Sequence, residues 1–84
     1  MTNRLFVGNL AWEARASDIR TAAELLGFVV TDVFVPVDRS SGRPRGFAFL
    51  ELDSDDAAER AATALDGELL AGRPLRVDLA RSRD

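Results

Sequence analysis

Apolar and polar positions along the chain switch between two periods, and each switch marks an element. Leu5-Phe6-Val7 is a short apolar run closed by Gly8-Asn9, which predicts a first strand. Residues 11–16 form a connector that holds the only tryptophan, Trp12, placed to anchor a loop at the domain edge. Ile19, Ala22, Ala23 and Leu26 then recur at helical spacing. Ser17 is a candidate cap for this helix, Asp18 falls in its first turn, and Gly27 is its stop. Residues 29–37 are β-branched and aromatic and predict a second strand, interrupted at Thr31-Asp32. Pro36 puts that strand at a sheet edge.

Residues 38–44 are a polar loop with Gly42 and Pro44 as turn residues, and residues 46–52 predict a third strand. Asp53 or Ser54 caps a second helix, whose apolar stripe is Ala58, Ala61, Ala62 and Leu65 and whose stop is Gly67. Leu69-Leu70 is a short extended piece, Gly72-Arg73-Pro74 a turn, and residues 75–79 alternate as a last strand. This divides the chain into one domain, residues 1–80, and a polar tail, residues 81–84.

The order β-α-β-β-α-β predicts an α+β, ferredoxin-like fold. Each helix has a single apolar stripe, so both cover one face of a four-stranded antiparallel sheet and leave the other face to water. Alternation along the strands says what lies on that open face. In the third strand Ala48, Leu50 and Leu52 suit the core, which turns Arg45, Phe47, Phe49 and Glu51 outward. The same parity turns out Arg4, Phe6 and Gly8 in the first strand, Phe34 in the second, and Arg76, Asp78 and Ala80 in the last. Four phenylalanines bordered by arginines would therefore share one exposed surface. Rings and guanidinium groups in that arrangement offer unpaired bases a stacking platform and their phosphates a cation.

Composition narrows the chemistry. The chain has 84 residues, 46% of them hydrophobic, as expected for one small globular domain. It contains no cysteine, histidine or tyrosine. A disulfide, a thiolate metal site, a thiol nucleophile and the commonest general base are all excluded. No enzyme activity, cofactor, metal or small-molecule substrate is expected. No leader opens the chain, and no apolar run approaches the ~20 residues of a membrane helix, so a cytoplasmic protein without membrane contact is expected. The G-x-x-x-x-G-K-[ST] phosphate loop is absent, and the chain has no lysine.

Eleven basic and fourteen acidic residues give a net charge of −3, unusual for a nucleic-acid binder. The charges are segregated, however. Asp53, Asp55, Asp56 and Glu59 crowd the start of the second helix, where capping and solubility account for them. Arg39, Arg43 and Arg45 lie together before the third strand, and Arg73, Arg76, Arg81 and Arg83 gather near the end.

Leu5-Phe6-Val7-Gly8-Asn9-Leu10 resembles the six-residue RNP motif of the RNA recognition motif family, and residues 45–52, Arg-Gly-Phe-Ala-Phe-Leu-Glu-Leu, resemble its eight-residue motif. The resemblance extends over nearly the whole chain. It implies that Phe6 and Phe49 each stack under a base, that Phe47 inserts between riboses, and that Arg45 meets a phosphate. Arg76, Asp78 and Ala80 would help to read base edges, with Arg4, Phe34 and Arg43 as further candidates at the margin. The implied partner is single-stranded RNA, with roughly two to four nucleotides bound. Single-stranded DNA is a second candidate because stacking tolerates a missing 2′-hydroxyl. A monomer is expected. The alternative reading is a protein-interaction or homodimerisation module using the same aromatic face. The chain departs from the family pattern at Leu52, where an aromatic is usual, and at Ala23, whose missing bulk Phe28 or Leu26 would replace.

Overall fold

The computed structural model describes residues 2–11, 13–43 and 45–80. Trp12, Pro44, Arg81 and Arg83, to which the sequence assigned roles, lie outside the described residues. The expected α+β architecture is present. Strand β1 (Arg4–Gly8) leads to helix α1 (Ala16–Leu25), strands β2 (Val30–Phe34) and β3 (Ala48–Leu52), and helix α2 (Asp55–Leu65). Two short strands, β4 (Leu69–Leu70) and β5 (Arg73–Pro74), precede the last strand, β6 (Arg76–Leu79). The main sheet is antiparallel with order β2-β3-β1-β6. Consequently β1 and β3, which carry the two motifs, are the adjacent central strands.

The core is built by the parity read from the sequence. Leu5, Val7, Ala48, Leu50, Leu52 and Val77 are buried beneath the helices, together with Ile19 and Ala23 of α1 and Ala57, Ala58, Ala61 and Leu65 of α2. Among the described residues no polar or charged residue is buried. Leu52 points into this core, so its departure from the family pattern is a matter of packing. Phe28 is half-buried against the core cluster that includes Ala23, whereas Leu26 remains 46% exposed and does not join the stripe.

Several boundaries differ from the sequence reading. Helix α1 is capped at Arg15, and Ser17 already lies inside it. The carboxylate of Asp18 accepts a 2.8 Å hydrogen bond from the Arg15 backbone N–H, which satisfies the cap from the third helical position. At the other end Gly27, with φ of 92°, donates to the Glu24 carbonyl at 2.9 Å and Phe28 donates to the Ala23 carbonyl at 3.2 Å, which is a Schellman closure. For α2 the cap is Ser54, whose Oγ accepts from the Ala57 N–H at 3.0 Å.

Strand β2 is shorter than residues 29–37, and it bulges at Thr31: Val30 pairs with Leu52, but Asp32 pairs with Glu51. The extra residue lets Val30 and Val33 both face the core while Phe34 stays outward. Strand β2 is an edge strand, as Pro36 suggested. Strand β3 begins at Ala48; Gly46 lies before it, with φ of 90°. The expected turn at Gly72-Arg73-Pro74 is displaced. Its central residues are Ala71 and Gly72, and Arg73–Pro74 pair with Leu70 and Leu69.

Candidate nucleic-acid interface

The register of the sheet arranges the open face in rows. Phe34 is opposite Phe49, Phe49 opposite Phe6, and Phe6 opposite Asp78. A second row holds Asp32, Glu51 and Arg4, and the Arg4 carbonyl accepts from the Ala80 N–H at 2.8 Å. On the opposite flank Gly8 pairs with Arg76. Adjacent strands lie about 4.8 Å apart, which is close enough for neighbouring rings in a row to touch.

Three rings do touch. The centroids of Phe6 and Phe47 are 5.6 Å apart with planes at 26°, a stacked pair. Phe49 meets Phe6 at 5.9 Å and Phe47 at 5.9 Å, edge-on to both. Edge-to-face and offset contacts are the arrangements that ring quadrupoles favour, so the three rings hold one another in place. Phe6 is 37% exposed, an unusual state for a phenylalanine on a central strand. Phe34 is 60% exposed and occupies the edge of the row, outside the contacting triad.

Gly8 is outward by parity yet buried, because the Phe6 ring covers it. A Cβ on Gly8 would come within 2.9 Å of the Phe6 Cε2 atom. The missing side chain is therefore what allows the ring to lie along the strand.

The cations are distributed unevenly around the rings. The Arg45 guanidinium carbon is 5.9 Å from the Phe47 centroid, within cation–π range, and the side chain is exposed. Its backbone N–H is fixed by the Pro36 carbonyl at 3.1 Å, which pins the loop to the end of β2. That loop has its own order. The Asp38 carboxylate accepts from the Ser40 and Ser41 N–H groups, and its backbone exchanges 2.7 Å bonds with Gly42 and Arg43. Arg43 is exposed beside it. Arg76 is exposed next to Gly8 and borders an open cleft with Phe6, Asp66, Val77 and Asp78.

Arg4, by contrast, is drawn toward Glu51, with Nη2 and Oε2 3.7 Å apart. Glu51 also accepts from the Thr31 hydroxyl at 2.9 Å. With Asp32 exposed in the same row, this flank of the face is acidic. The sequence reading placed Glu51 outward, but the pairing of Asp32 with it depends on the Thr31 bulge.

The structure thus brings Phe6, Arg45, Phe47 and Phe49 together and leaves Phe34, Arg4, Arg43, Arg76, Asp78 and Ala80 around their margin. Asn9 was not singled out by the sequence. Its amide donates to the Pro74 carbonyl at 2.7 Å and accepts from Arg73 at 2.7 Å, which fastens the β4–β5 hairpin to the end of β1.

This pattern of strands and rings agrees with comparison to known proteins. The family model described as RNA recognition motif matches residues 5–76, and the chain belongs to that family. It is 41% identical over 83 residues to glycine-rich RNA-binding protein 4, mitochondrial, of Arabidopsis thaliana, covering 99% of this chain and 60% of that protein. It is also 41% identical over 80 residues to putative RNA-binding protein RbpD of Nostoc, covering 95% of this chain and 84% of the relative. Among solved structures, RNA Binding Protein PG1 superposes with a TM-score of 0.85 at 35% identity and 99% coverage of both chains. No helix among the described residues is long and apolar enough to cross a membrane.

Proposed function

We propose that residues 1–80 form a module that binds single-stranded RNA on the open face of the sheet. Bases stack on Phe6 and Phe49, Phe47 packs against the sugars, and Arg45 meets a phosphate. Arg76, Asp78 and Ala80 read base edges on one margin, and Phe34, Arg4 and Arg43 extend the surface on the others. The observation that carries this reading is the triangle of mutually contacting rings on the open face, Phe6 exposed on β1 with Phe47 just before β3 and Phe49 on it half-buried, flanked by an exposed guanidinium. The names of the relatives support the same ligand, since both are called RNA-binding proteins.

The module acts by binding, as a monomer, and catalyses no reaction. Affinity comes chiefly from stacking, worth about 1–3 kcal/mol per base, because few cations border the rings. Single-stranded DNA occupies the same rings more weakly.

Titration of short single-stranded RNAs against Phe6→Ala and Phe49→Ala is the direct test. Each substitution should weaken binding by roughly ten- to a hundredfold while the fold is retained. Unchanged affinity in both variants, with native circular dichroism, would overturn the stacking model.

A further inference from the structure

Helix α1 has a second apolar surface that the core does not use. Ile19 and Ala23 face the sheet, whereas Leu25 is 81% exposed and Leu26 46%. Across from them Leu69 on β4 is 71% exposed and Leu70 is half-buried. Together these leucines line an open groove of about 460 Å³ between α1 and the β4–β5 hairpin. Leu25 alone would be unremarkable, since single exposed apolar residues are common. Four leucines converging on one groove are a contiguous patch of the kind that marks an interaction site.

The charges around the groove restrict what can fill it. Its lining includes two carboxylates, Asp18 and Glu68, and no basic residue. The described arginines within the two helices are engaged on their own helix: Arg20 with Glu24 at 3.7 Å and Arg60 with Asp56 at 3.1 Å. RNA is excluded, because phosphates would meet carboxylates without a cation. A second copy in a two-fold arrangement would set Asp18 and Glu68 against the same acidic rim. A segment with an apolar stripe and basic flanks satisfies both the leucines and the rim.

We propose that this groove is a docking site for a basic amphipathic helix of another protein. The groove lies between α1 and the β4–β5 hairpin, and none of its lining residues belongs to the proposed RNA site. The module would then hold RNA and a protein at once. The inference does not rest on RNA binding and stands or falls separately.

The probe is a synthetic helical peptide with leucine at i, i+3, i+4 and i+7 and lysine elsewhere, compared with a twin in which glutamate replaces each lysine. Titrated into the ¹⁵N-labelled full chain, the lysine peptide should shift the amides of Leu25, Leu26, Leu69 and Leu70 and spare Phe6 and Phe49. The glutamate twin should not bind. Leu25→Glu and, independently, Glu68→Arg should each weaken the lysine peptide by about tenfold or more. RNA affinity should be unaltered in both variants, which shows that the fold is intact. Three results would overturn the proposal: no shift at millimolar lysine peptide, equal binding of the two peptides, or shifts confined to the aromatic face. A concentration-dependent mass of the free chain that Leu25→Glu abolishes would also overturn it, by naming a second copy as the occupant.

Discussion

The ring of Phe6 lies over Gly8, two residues further along the same strand, so closely that a Cβ there would be 2.9 Å from the ring. The backbone at Gly8 is not in the left-handed region, so alanine is conformationally acceptable and would itself stiffen the unfolded chain. Gly8→Ala should therefore separate binding from stability. Stability should stay within about 1 kcal/mol of the parent, because the exposed ring can swing away. RNA affinity should fall by up to about tenfold, since the stacking platform tilts with the ring. Thermal melts and RNA titrations of one variant check both halves.

Glu51 places a carboxylate on a surface that has to accept a polyanion, and it draws Arg4 away from that role. Glu51→Gln keeps an acceptor for the Thr31 hydroxyl and removes the charge. RNA should bind about two- to fivefold more tightly at low salt, the size of one exposed charge interaction. The logarithmic salt dependence should steepen by about 0.7, corresponding to one phosphate gained by Arg4. An unchanged slope would mean that Arg4 stays out of reach of the RNA.

Arg45 is exposed within cation–π range of Phe47 and is the side chain assigned to a phosphate. One phosphate contact predicts a slope of log affinity against log salt of about −0.7, shallow for a nucleic-acid binder. Arg45→Ala should bring it close to zero. A slope several times steeper in the parent would point to a wider basic footprint than this side chain supplies.

The open face was legible because strand parity is strict. Once Leu50 and Leu52 are assigned to the core, Phe49 and Glu51 must point outward, and the register follows from β1 and β3 being neighbours. Local detail was harder to read wherever two residues could fill the same role. Ser17 is a good cap by type, but Asp18 reaches the Arg15 N–H and starts the helix two residues earlier. The bulge at Thr31 has no signal beyond a polar interruption, although it decides that Asp32 joins Glu51. The acidic flank of the site was therefore hidden. Leu25 sits one step beyond the stripe of Ile19, Ala22, Ala23 and Leu26. A helical pattern shows that it is apolar but not that the neighbouring hairpin leaves it uncovered.

The turn at Ala71-Gly72 was misplaced for a related reason, and it offers a test of the hairpin geometry. Two residues link the paired positions Leu70 and Arg73, with φ of 53° at Ala71 and 81° at Gly72. Positive φ at both central positions belongs to the mirror-image turn that suits the twist of a two-residue hairpin, and its preferred sequence is Asn-Gly. Alanine resists this region because its Cβ crowds the following carbonyl, at a cost of roughly 1–2 kcal/mol. Sequence reasoning thus moved the turn to Gly72-Arg73-Pro74. Ala71→Asn should restore the preferred pair and stabilise the domain by about 0.5–1 kcal/mol, raising the melting temperature by roughly 2–8 °C. Gly72→Ala should act in the opposite direction. A Cβ at Gly72 meets no atom within 4 Å, so the whole loss, about 1 kcal/mol, would come from backbone strain. Neither substitution touches the aromatic face, so RNA affinity measured well below the melting transition should stay at the parent value. A destabilised Ala71→Asn would show that the hairpin does not adopt this turn.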